Sequence, residues 1–219
     1  MIRQLAFDLP PVVALTRADF LTSASNSLAL QAIDSWRDWP EGKLVLIGPE
    51  GSGKTHLAHI WAEAAGAVIV PSAGLAGEDL AGLSGSAVVV EDAQRIGSAE
   101  AALFHLHNLV RAAGKTLFLT ADRPPRDWGL GLADLLSRMQ AAPVARLEGP
   151  DDALLSAVLV KLFADRQLKV APNLIPYLVS RMPRSVGAAR ALVAALDDRA
   201  LAAGKPITRQ LAANLLAAI

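Results

Sequence analysis

The stretch Gly48-Pro49-Glu50-Gly51-Ser52-Gly53-Lys54-Thr55 decides the fold of this chain. It fits the pattern G-x-x-x-x-G-K-[ST] at every fixed position, and it lies between the short apolar run Lys43–Ile47 and a helix-like run. In that context the glycines let successive backbone N–H groups turn toward one anion, and the helix N-terminus adds its dipole. We expect Lys54 to reach the outer phosphates of a nucleotide and Thr55 to offer its hydroxyl to Mg²⁺. The alternative is a glycine-rich turn without a ligand.

Four other apolar runs have the length and the bounding turn residues of buried strands, namely residues 67–70, 87–90, 116–120 and 144–147. A helix-like stretch over 23–36 precedes the first run, and others separate most of the runs, for example 99–113, with Ser98 as the expected N-cap and Gly114 just past its end. Continuously apolar strands that alternate with helices are typical of a parallel sheet covered on both faces. The sequence therefore predicts an α/β domain with a five-stranded parallel sheet between helices.

The pattern changes at Pro150. Beyond it no run matches the five strands, and Thr208 is placed to cap a last helix. Apolar residues recur there at helical spacing, as in Leu154, Leu155, Val158, Leu159, Leu162 and Phe163. We therefore expect three regions: a tail over residues 1–11, an α/β domain over 12–150, and a small all-helical lid domain over 151–219.

Composition excludes several classes of function. Of the 219 residues, 21 are Lys or Arg and 21 are Asp or Glu, so the basic excess of a nucleic-acid coat is missing. There is no Cys, which removes disulfides, thiolate metal sites and cysteine nucleophiles. No apolar run is long enough to span a membrane, and the N-terminus lacks the features of a secretory signal. We expect a soluble cytoplasmic protein without a membrane partner.

A pair of acids, Glu91 and Asp92, directly follows the apolar run 87–90. A carboxylate at the end of a neighbouring parallel strand belongs beside the Mg²⁺ of a phosphate loop, normally as Asp followed by a Glu that orients the attacking water. Here the order is reversed. We expect Glu91 to face the metal and Asp92 to take the other catalytic position, with nucleotide binding but without fast hydrolysis. Two alternatives stay open: a one-residue slip exchanges the two roles, or both acids are simply solvated.

Several short motifs accompany the phosphate loop in a fixed order. They are Gly53-Lys54-Thr55-His56-Leu57, Ser25-Asn26-Ser27-Leu28, Thr120-Ala121-Asp122-Arg123-Pro124-Pro125, Leu136-Ser137-Arg138 and Pro183-Arg184-Ser185-Val186-Gly187. Each motif is weak alone. Together they make nearly the whole chain resemble the AAA+ module of the bacterial replication initiator DnaA, and more closely the DnaA-related regulators of the Hda family.

The resemblance implies a role for each motif. Asn26 belongs near the adenine, His56 is among the nucleotide contacts beside the phosphate loop, and Asp122, in the first sensor, lies near the γ-phosphate. Arg138 corresponds to the arginine finger, which points outward to a neighbour's nucleotide. Arg184, in the second sensor, closes the lid on the chain's own nucleotide. The implied cofactors are ADP or ATP with Mg²⁺. For either arginine alone, a surface ion pair is the ordinary alternative.

Two departures from DnaA bear on function. The chain stops at Ile219, so we expect the initiator's helix-turn-helix module for duplex DNA to be missing. The stretch Gln4-Leu5-Ala6-Phe7-Asp8-Leu9 resembles the short peptide by which Hda and other replication proteins bind the sliding clamp. In such motifs Gln4 fixes the peptide by hydrogen bonds while Leu5, Phe7 and Leu9 fill an apolar groove. The alternative is an ordinary tail that packs on the domain or is disordered.

These features lead to one principal hypothesis and two rivals. The first is a regulator of chromosomal replication initiation that binds adenine nucleotide and docks on the sliding clamp (the DNA polymerase III β subunit). It reaches DNA mainly through the clamp, and it presents Arg138 to DnaA, whose ATP hydrolysis it stimulates. The second is an autonomous AAA+ ATPase that loads or remodels another replication component and assembles as a homo-oligomer. The third, a small nucleotide kinase, fits poorly, because the loop stands behind a helix and no arginine-rich closing lid is evident.

Overall fold

The computed structural model describes residues 15–217. The four residues predicted to bind the clamp, Gln4, Leu5, Phe7 and Leu9, therefore lie outside the described residues. Five strands form one sheet in the order β2-β3-β4-β1-β5, and all neighbouring pairs are parallel. The strands are β1 (Lys43–Ile47), β2 (Val68–Pro71), β3 (Val88–Glu91), β4 (Leu117–Ala121) and β5 (Val144–Arg146). The predicted five-stranded parallel sheet is confirmed.

The two faces of the sheet have separate hydrophobic cores, because successive side chains of a strand point to opposite faces. Val45 and Ile47 of β1 pack in one core, and Leu44 and Leu46 pack in the other. Every residue of β1 and β4 is buried, which accounts for the uninterrupted apolar runs that these strands show in the sequence.

Five helices cover the sheet: α1 (Ser27–Asp34), α2 (Lys54–Ala65), α3 (Leu80–Leu83), α4 (Glu100–Ala112) and α5 (Ala133–Gln140). Helix α1 is shorter than the predicted 23–36, because the side chain of Asn26 ties the preceding residues into a turn. The prediction of Ser98 as the N-cap of α4 is wrong. Residues Gly97–Ala99 form a 3₁₀ turn, and Ala99 occupies the cap position without a side-chain hydrogen bond.

Beyond the sheet the chain forms four helices with a core of their own. They are α6 (Asp152–Asp165), α7 (Leu174–Val179), α8 (Val186–Ala203) and α9 (Arg209–Leu216). The shared core includes Leu155, Leu159, Phe163, Leu178, Leu192 and Leu196. Thr208 caps α9 as predicted, since its hydroxyl accepts a hydrogen bond from Leu211 N. Across residues 15–217 no helix combines the length and the apolar character needed to cross a membrane.

Candidate functional site

The phosphate loop begins at the carboxyl end of β1, which lies between β4 and β5. Gly48 N donates to the carbonyl of Ala121, the last residue of β4, over 3.1 Å. Gly51 and Gly53 have φ values of +72° and +108°, a left-handed region that favours glycine. A Cβ at Gly48 would overlap the carbonyl oxygen of Leu147. The three glycines of the motif are therefore required by the backbone, and the loop leads directly into α2, where open α/β sheets bind ligands.

The polar groups of the loop fit an anion. The Ser52 side chain is buried, with 4% of the residue exposed, and its hydroxyl has no hydrogen-bond partner within the described residues. A buried hydroxyl without a partner is unfavourable, so an acceptor or donor brought by a ligand would stabilise it. Lys54 is half-buried and donates to the carbonyls of Gly48 (2.8 Å) and Pro49 (3.0 Å). Its ammonium thus lies inside the loop, where phosphate oxygens would replace those carbonyls.

Four carboxylates surround Lys54. Burial lowers the pKa of the Lys54 ammonium, and the carboxylates oppose that shift, Asp92 most strongly, followed by Asp122, Glu50 and Glu91. The sequence left open which acid of the pair 91–92 faces the metal. Asp92 has the larger electrostatic effect on Lys54, and the metal-binding role of Glu91 stays a prediction.

Asp92 is held in a strained conformation by its neighbours. Its φ is +53°, a left-handed value that Asp tolerates better than most residues, and hydrogen bonds from other segments hold it there. Asp92 N donates to the Thr120 hydroxyl (3.1 Å), the Ser72 hydroxyl donates to the Asp92 carbonyl (2.8 Å), and the Gln94 amide donates to Oδ1 (3.3 Å). Sequence reasoning missed Thr120 and Gln94 as site residues. Their position at and just after the strand ends is the only signal that the sequence offers.

Asp122 joins this group from the end of β4. Its carboxylate accepts two hydrogen bonds from Arg123 (2.7 and 3.2 Å), and its backbone N–H donates to Gln94 Oε1 (3.2 Å). The hydrogen bond from Arg123 is the main cause that lowers the pKa of Asp122. Lys54, Asp92 and Asp122 therefore all lie at the carboxyl ends of the strands, and their roles toward a nucleotide stay predictions.

Thr55 and the acids at the end of β3 are the candidate ligands for Mg²⁺. Within residues 15–217 no three His, Cys, Asp or Glu side chains form a group that could hold a metal ion. Mg²⁺ normally takes one or two carboxylates, with phosphates and water filling the other positions. Thr55 is exposed in the first turn of α2, and Asp92 is close to the adjoining Lys54. These side chains suit that incomplete ligand set.

The helical region touches the phosphate loop through the start of α8. Val186 N donates to the carbonyl of Gly51 over 3.0 Å, and a Cβ at Gly51 would overlap Ser185. Arg184, predicted to close on the nucleotide, instead pairs with Asp152 (2.6 Å) and donates to the Pro150 carbonyl (3.3 Å), with 60% of its side chain exposed. The Arg184 guanidinium thus links the segment before α8 to the start of α6 and to Pro150 just before it. The role of Arg184 toward a nucleotide stays a prediction.

Another arginine of the helical region, Arg190 within α8, was missed. It lies four residues after Val186, so both occupy the face of α8 that meets the loop. Burial lowers the pKa of His56, and the positive charge of Arg190 lowers it further. Among the described residues Arg190 has no ion pair or side-chain hydrogen bond. The helical spacing from the residue that bonds the loop is the signal that could have found it.

The predicted adenine contacts lie on the segment before α1. The Asn26 amide is 3% exposed and fully used within its own turn: Ser23 N donates to Oδ1, and Nδ2 donates to the Leu21 carbonyl, both over 2.8 Å. His56 Nε2 lies 2.8 Å from the carbonyl oxygen of Thr16. Asn26 and His56 therefore shape and fasten this segment, and direct contact with a base stays a prediction.

An aromatic side chain on the same segment was also missed. The Phe20 ring meets His56 edge-on, with centroids 5.1 Å apart. Its Cε2 would lie 3.8 Å from a Cβ placed at Gly53. Phe20 thus offers an apolar surface beside the phosphate loop, of the kind on which a base can stack.

Arg138 stands apart from every other site residue. It lies in the last turn of α5, its side chain is exposed, and within residues 15–217 it makes no ion pair. Its carbonyl accepts a hydrogen bond from Nζ of Lys43, the first residue of β1, over 3.1 Å. The phosphate loop follows Ile47, which is four residues or roughly 13 Å further along the strand. The predicted finger lies at the amino ends of the strands, and the chain's own phosphate loop lies at their carboxyl ends, the opposite edge of the sheet.

Comparisons with known proteins bear on the fold. No protein-family model matches the chain. The chain is similar to domain III of the replication initiation protein DnaA from Thermotoga maritima, with 20% identity and a TM-score of 0.76 over 92% of this chain and 95% of that one. It is also similar to AMPPCP-bound DnaA from Aquifex aeolicus, with 17% identity and a TM-score of 0.71. That match covers 84% of this chain and 65% of the DnaA chain.

A more distant match is a point mutant of RuvB from Thermotoga maritima, with 19% identity and a TM-score of 0.64 over 87% of this chain and 66% of that one. The sheet order, the phosphate loop and the helical region after the sheet thus define an AAA+ fold, as predicted. Within that class the fold is DnaA-like, since the DnaA structures match with TM-scores of 0.69 to 0.76.

Proposed function

We propose that the chain is a cytoplasmic, adenine-nucleotide-binding regulator of replication initiation of the Hda type, which supplies Arg138 in trans to ATP-bound DnaA. The observation that carries this proposal is the placement of Arg138. The side chain is exposed, has no ion pair among the described residues, and lies at the edge of the sheet opposite its own phosphate loop. An arginine in that place serves another molecule's nucleotide more readily than its own.

The binding of ADP or ATP with Mg²⁺ is supported by the loop itself. Its backbone N–H groups, the hydroxyl of Ser52 and the ammonium of Lys54 form a cradle for phosphates. A DnaA relative of the same fold binds AMPPCP, an ATP analogue. When bound, the nucleotide would supply phosphate charge that Lys54 neutralises, while Thr55 and one acid of the pair 91–92 would hold the metal ion. Phe20 and the turn organised by Asn26 then border the base.

The chemical role of Arg138 lies in the partner. A γ-phosphoryl group in transfer accumulates charge on its equatorial oxygens, and a guanidinium presented to those oxygens lowers the barrier. Arginine fingers contribute about 10³- to 10⁵-fold in rate in well-characterised systems. Hydrolysis by the chain itself is expected to be slow. Asp92 is a methylene shorter than the usual water-orienting Glu, and small displacements weaken catalysis strongly.

Docking on the sliding clamp through Gln4, Leu5, Phe7 and Leu9 is the second part of the proposal. It rests on the sequence of that stretch alone. The clamp brings the regulator to DNA, which agrees with the balanced count of 21 basic and 21 acidic residues. Contact with DNA is thus expected mainly through the clamp.

The test is ATP hydrolysis by purified DnaA with clamp-loaded DNA, measured with and without the chain. We expect the intact chain to accelerate hydrolysis, and Arg138→Ala and Gln4→Ala each to remove most of that acceleration. Arg126→Ala is the matched control, because Arg126 is also an exposed arginine of the α/β part. Acceleration that survives Arg138→Ala would overturn the finger proposal. Survival after Gln4→Ala would overturn clamp docking only.

An autonomous AAA+ ATPase that loads or remodels another replication component is the second candidate. It is favoured by the grouping of Lys54, Asp92 and Asp122 at one edge of the sheet, together with the contact of the lid with Gly51. This candidate predicts brisk turnover by the chain alone and ATP-dependent homo-oligomers in sedimentation. It replaces the regulator if DnaA hydrolysis is unaffected while the isolated chain hydrolyses ATP rapidly.

A further inference from the structure

A buried ammonium lies directly behind the helix that carries Arg138. Lys43 begins β1, and only 2% of its side chain is exposed. Nζ donates to Glu41 Oε2 over 2.9 Å and to the Arg138 carbonyl over 3.1 Å. A lysine is almost never fully buried unless it is paired, because removing its charge from water is costly. The two hydrogen bonds therefore explain how Lys43 is tolerated in the core.

The Arg138 carbonyl needs this partner. It belongs to the last turn of α5, whose carbonyls have no intrahelical donor. The neighbouring carbonyls of Ser137 and Met139 are bonded by the backbone N–H groups of Ala141 and Ala142. The Arg138 carbonyl is bonded instead by the Lys43 ammonium, a cation at the negative end of the helix dipole. Lys43 thus fixes the backbone of the residue whose side chain is the proposed finger.

The partner of Lys43 is held in a strained turn. Glu41 has a φ of +52° and the following Gly42 a φ of +63°. A glutamate in the left-handed region is strained and persists there only where the surroundings impose it. A Cβ at Gly42 would lie 3.1 Å from the Lys115 carbonyl, so the turn also packs closely against the chain that leads into β4. The turn places the Glu41 carboxylate where it neutralises the buried ammonium.

The same edge gathers other cations. The hydrogen bond from Lys43 lowers the pKa of Glu41, and the charges of Lys43, Arg111 and Arg138 add to the effect. Burial lowers the pKa of His107, and Lys43, Arg138 and Arg111 again contribute. Glu41 therefore offsets repulsion among three cations at the edge where Arg138 is exposed.

We propose that Lys43, neutralised by Glu41, is a positioning residue that fixes the C-terminal turn of α5 and so sets the direction of the Arg138 guanidinium. The inference rests on the proposed finger role of Arg138. Its structural part, the anchoring of α5, holds or fails independently of any activity. Fixing one backbone carbonyl matters here because a finger that approaches a partner's nucleotide has to meet it within a fraction of an ångström.

The test compares Lys43→Met and Glu41→Gln with Lys115→Met, the same change at an exposed lysine near the same edge. Amide hydrogen exchange over residues 133–140 reads the anchoring of α5. Stimulation of DnaA hydrolysis reads the finger, and ADP affinity reads the distant loop. We expect Lys43→Met to raise exchange in α5 and to reduce stimulation by about tenfold, with ADP affinity within twofold of the original. Glu41→Gln should act in the same direction more weakly, and Lys115→Met should change none of the three.

Each other outcome has a defined meaning. Unchanged exchange in α5 overturns the inference, even where stimulation is lost, because Lys43 would then act by another route. Should Lys43→Met fail to fold, Glu41→Gln and Glu41→Ala carry the same comparison at an exposed residue. Failure of the original chain to stimulate DnaA overturns the proposed function instead, and the exchange measurement still decides whether Lys43 anchors α5.

Discussion

The two ends of the parallel strands are built in different ways. At the carboxyl ends, the start of α8 contacts the phosphate loop, Gln94 hydrogen-bonds to both Asp92 and Asp122, and four carboxylates act on the Lys54 ammonium. At the amino ends, one exposed guanidinium, that of Arg138, stands over a buried and carefully neutralised lysine. We expect the first edge to bind a nucleotide with residues of this chain alone. The second edge fixes the base of a side chain whose tip is exposed, and we expect that tip to act on another molecule.

Loss of the Lys54 ammonium should have the largest effect, and it should be confined to the first edge. We expect Lys54→Ala to weaken ADP binding by at least 100-fold, or about 2.7 kcal/mol, because the half-buried ammonium is the main cation of the cradle. Isothermal titration calorimetry with ADP in the presence of Mg²⁺ measures the affinity. Lys169→Ala, at an exposed lysine of the helical region, is the control. Arg138→Ala should leave the affinity within twofold. An equal loss of ADP affinity in Arg138→Ala would show that the two edges do not act separately.

The next prediction concerns Gly51, where an added side chain would fill the space between the loop and the lid. We expect Gly51→Ala to destabilise the fold by about 2–4 kcal/mol in urea unfolding, because the added methyl meets Ser185 and alanine is strained at a φ of +72°. Gly77→Ala is the control, since that position is open and has no positive φ, and it should change stability by less than about 0.5 kcal/mol. Adding Ser185→Gly should restore part of the loss. A neutral Gly51→Ala would show that the lid does not rest on the loop.

Two of the arginines of the lid, Arg190 and Arg184, distinguish a nucleotide contact from a structural ion pair. We expect Arg190→Ala to weaken ATP binding by about tenfold, since its guanidinium has no other partner among the described residues and lies on the face of α8 that meets the loop. Arg184→Ala should change affinity by less than about threefold, because its guanidinium already pairs with Asp152. The reverse order of the two effects would restore Arg184 as the arginine that meets the nucleotide.

The smallest effect concerns one histidine at each edge. Burial lowers the pKa of His56 and of His107 from the ordinary value near 6.5. Below that value the unfolded chain takes up protons that the folded chain resists, so stability should fall as the pH decreases from about 7 to 5.5. The free energy of unfolding, measured in urea across this pH range, should depend less on pH in His56→Gln and in His107→Gln. If the dependence of the free energy of unfolding on pH is unchanged in both variants, folding does not lower the pKa of either histidine.

The sequence predicts the fold because its signals are local. Five apolar runs with turn residues on both sides define the strands, and the spacing within residues 48–55 defines the loop and the start of α2. The cap at Thr208 belongs to the same class, since its partner is three residues away.

Side-chain partners that come from distant segments could not be predicted in this way. Arg184 is held by Asp152, 32 residues away, and Lys43 by the Arg138 carbonyl, 95 residues away. The left-handed backbone of Asp92 depends on Thr120, 28 residues later, and no pattern around position 92 reveals it. Motif order thus names the residues of the site, while their directions follow from packing across the sheet.

The separate core of the helical region has a consequence for how the molecule opens. A segment whose apolar contacts are mostly internal can detach as one cooperative unit, at a free energy below that of global unfolding. Its polar ties to the rest of the described chain include the bond from Val186 to Gly51 and the ion pair between Lys161 and Asp19 (3.1 Å). A ligand that touches both the loop and α8 therefore slows this detachment. The rate at which a protease cleaves near residue 150 should therefore fall when a nucleotide is bound.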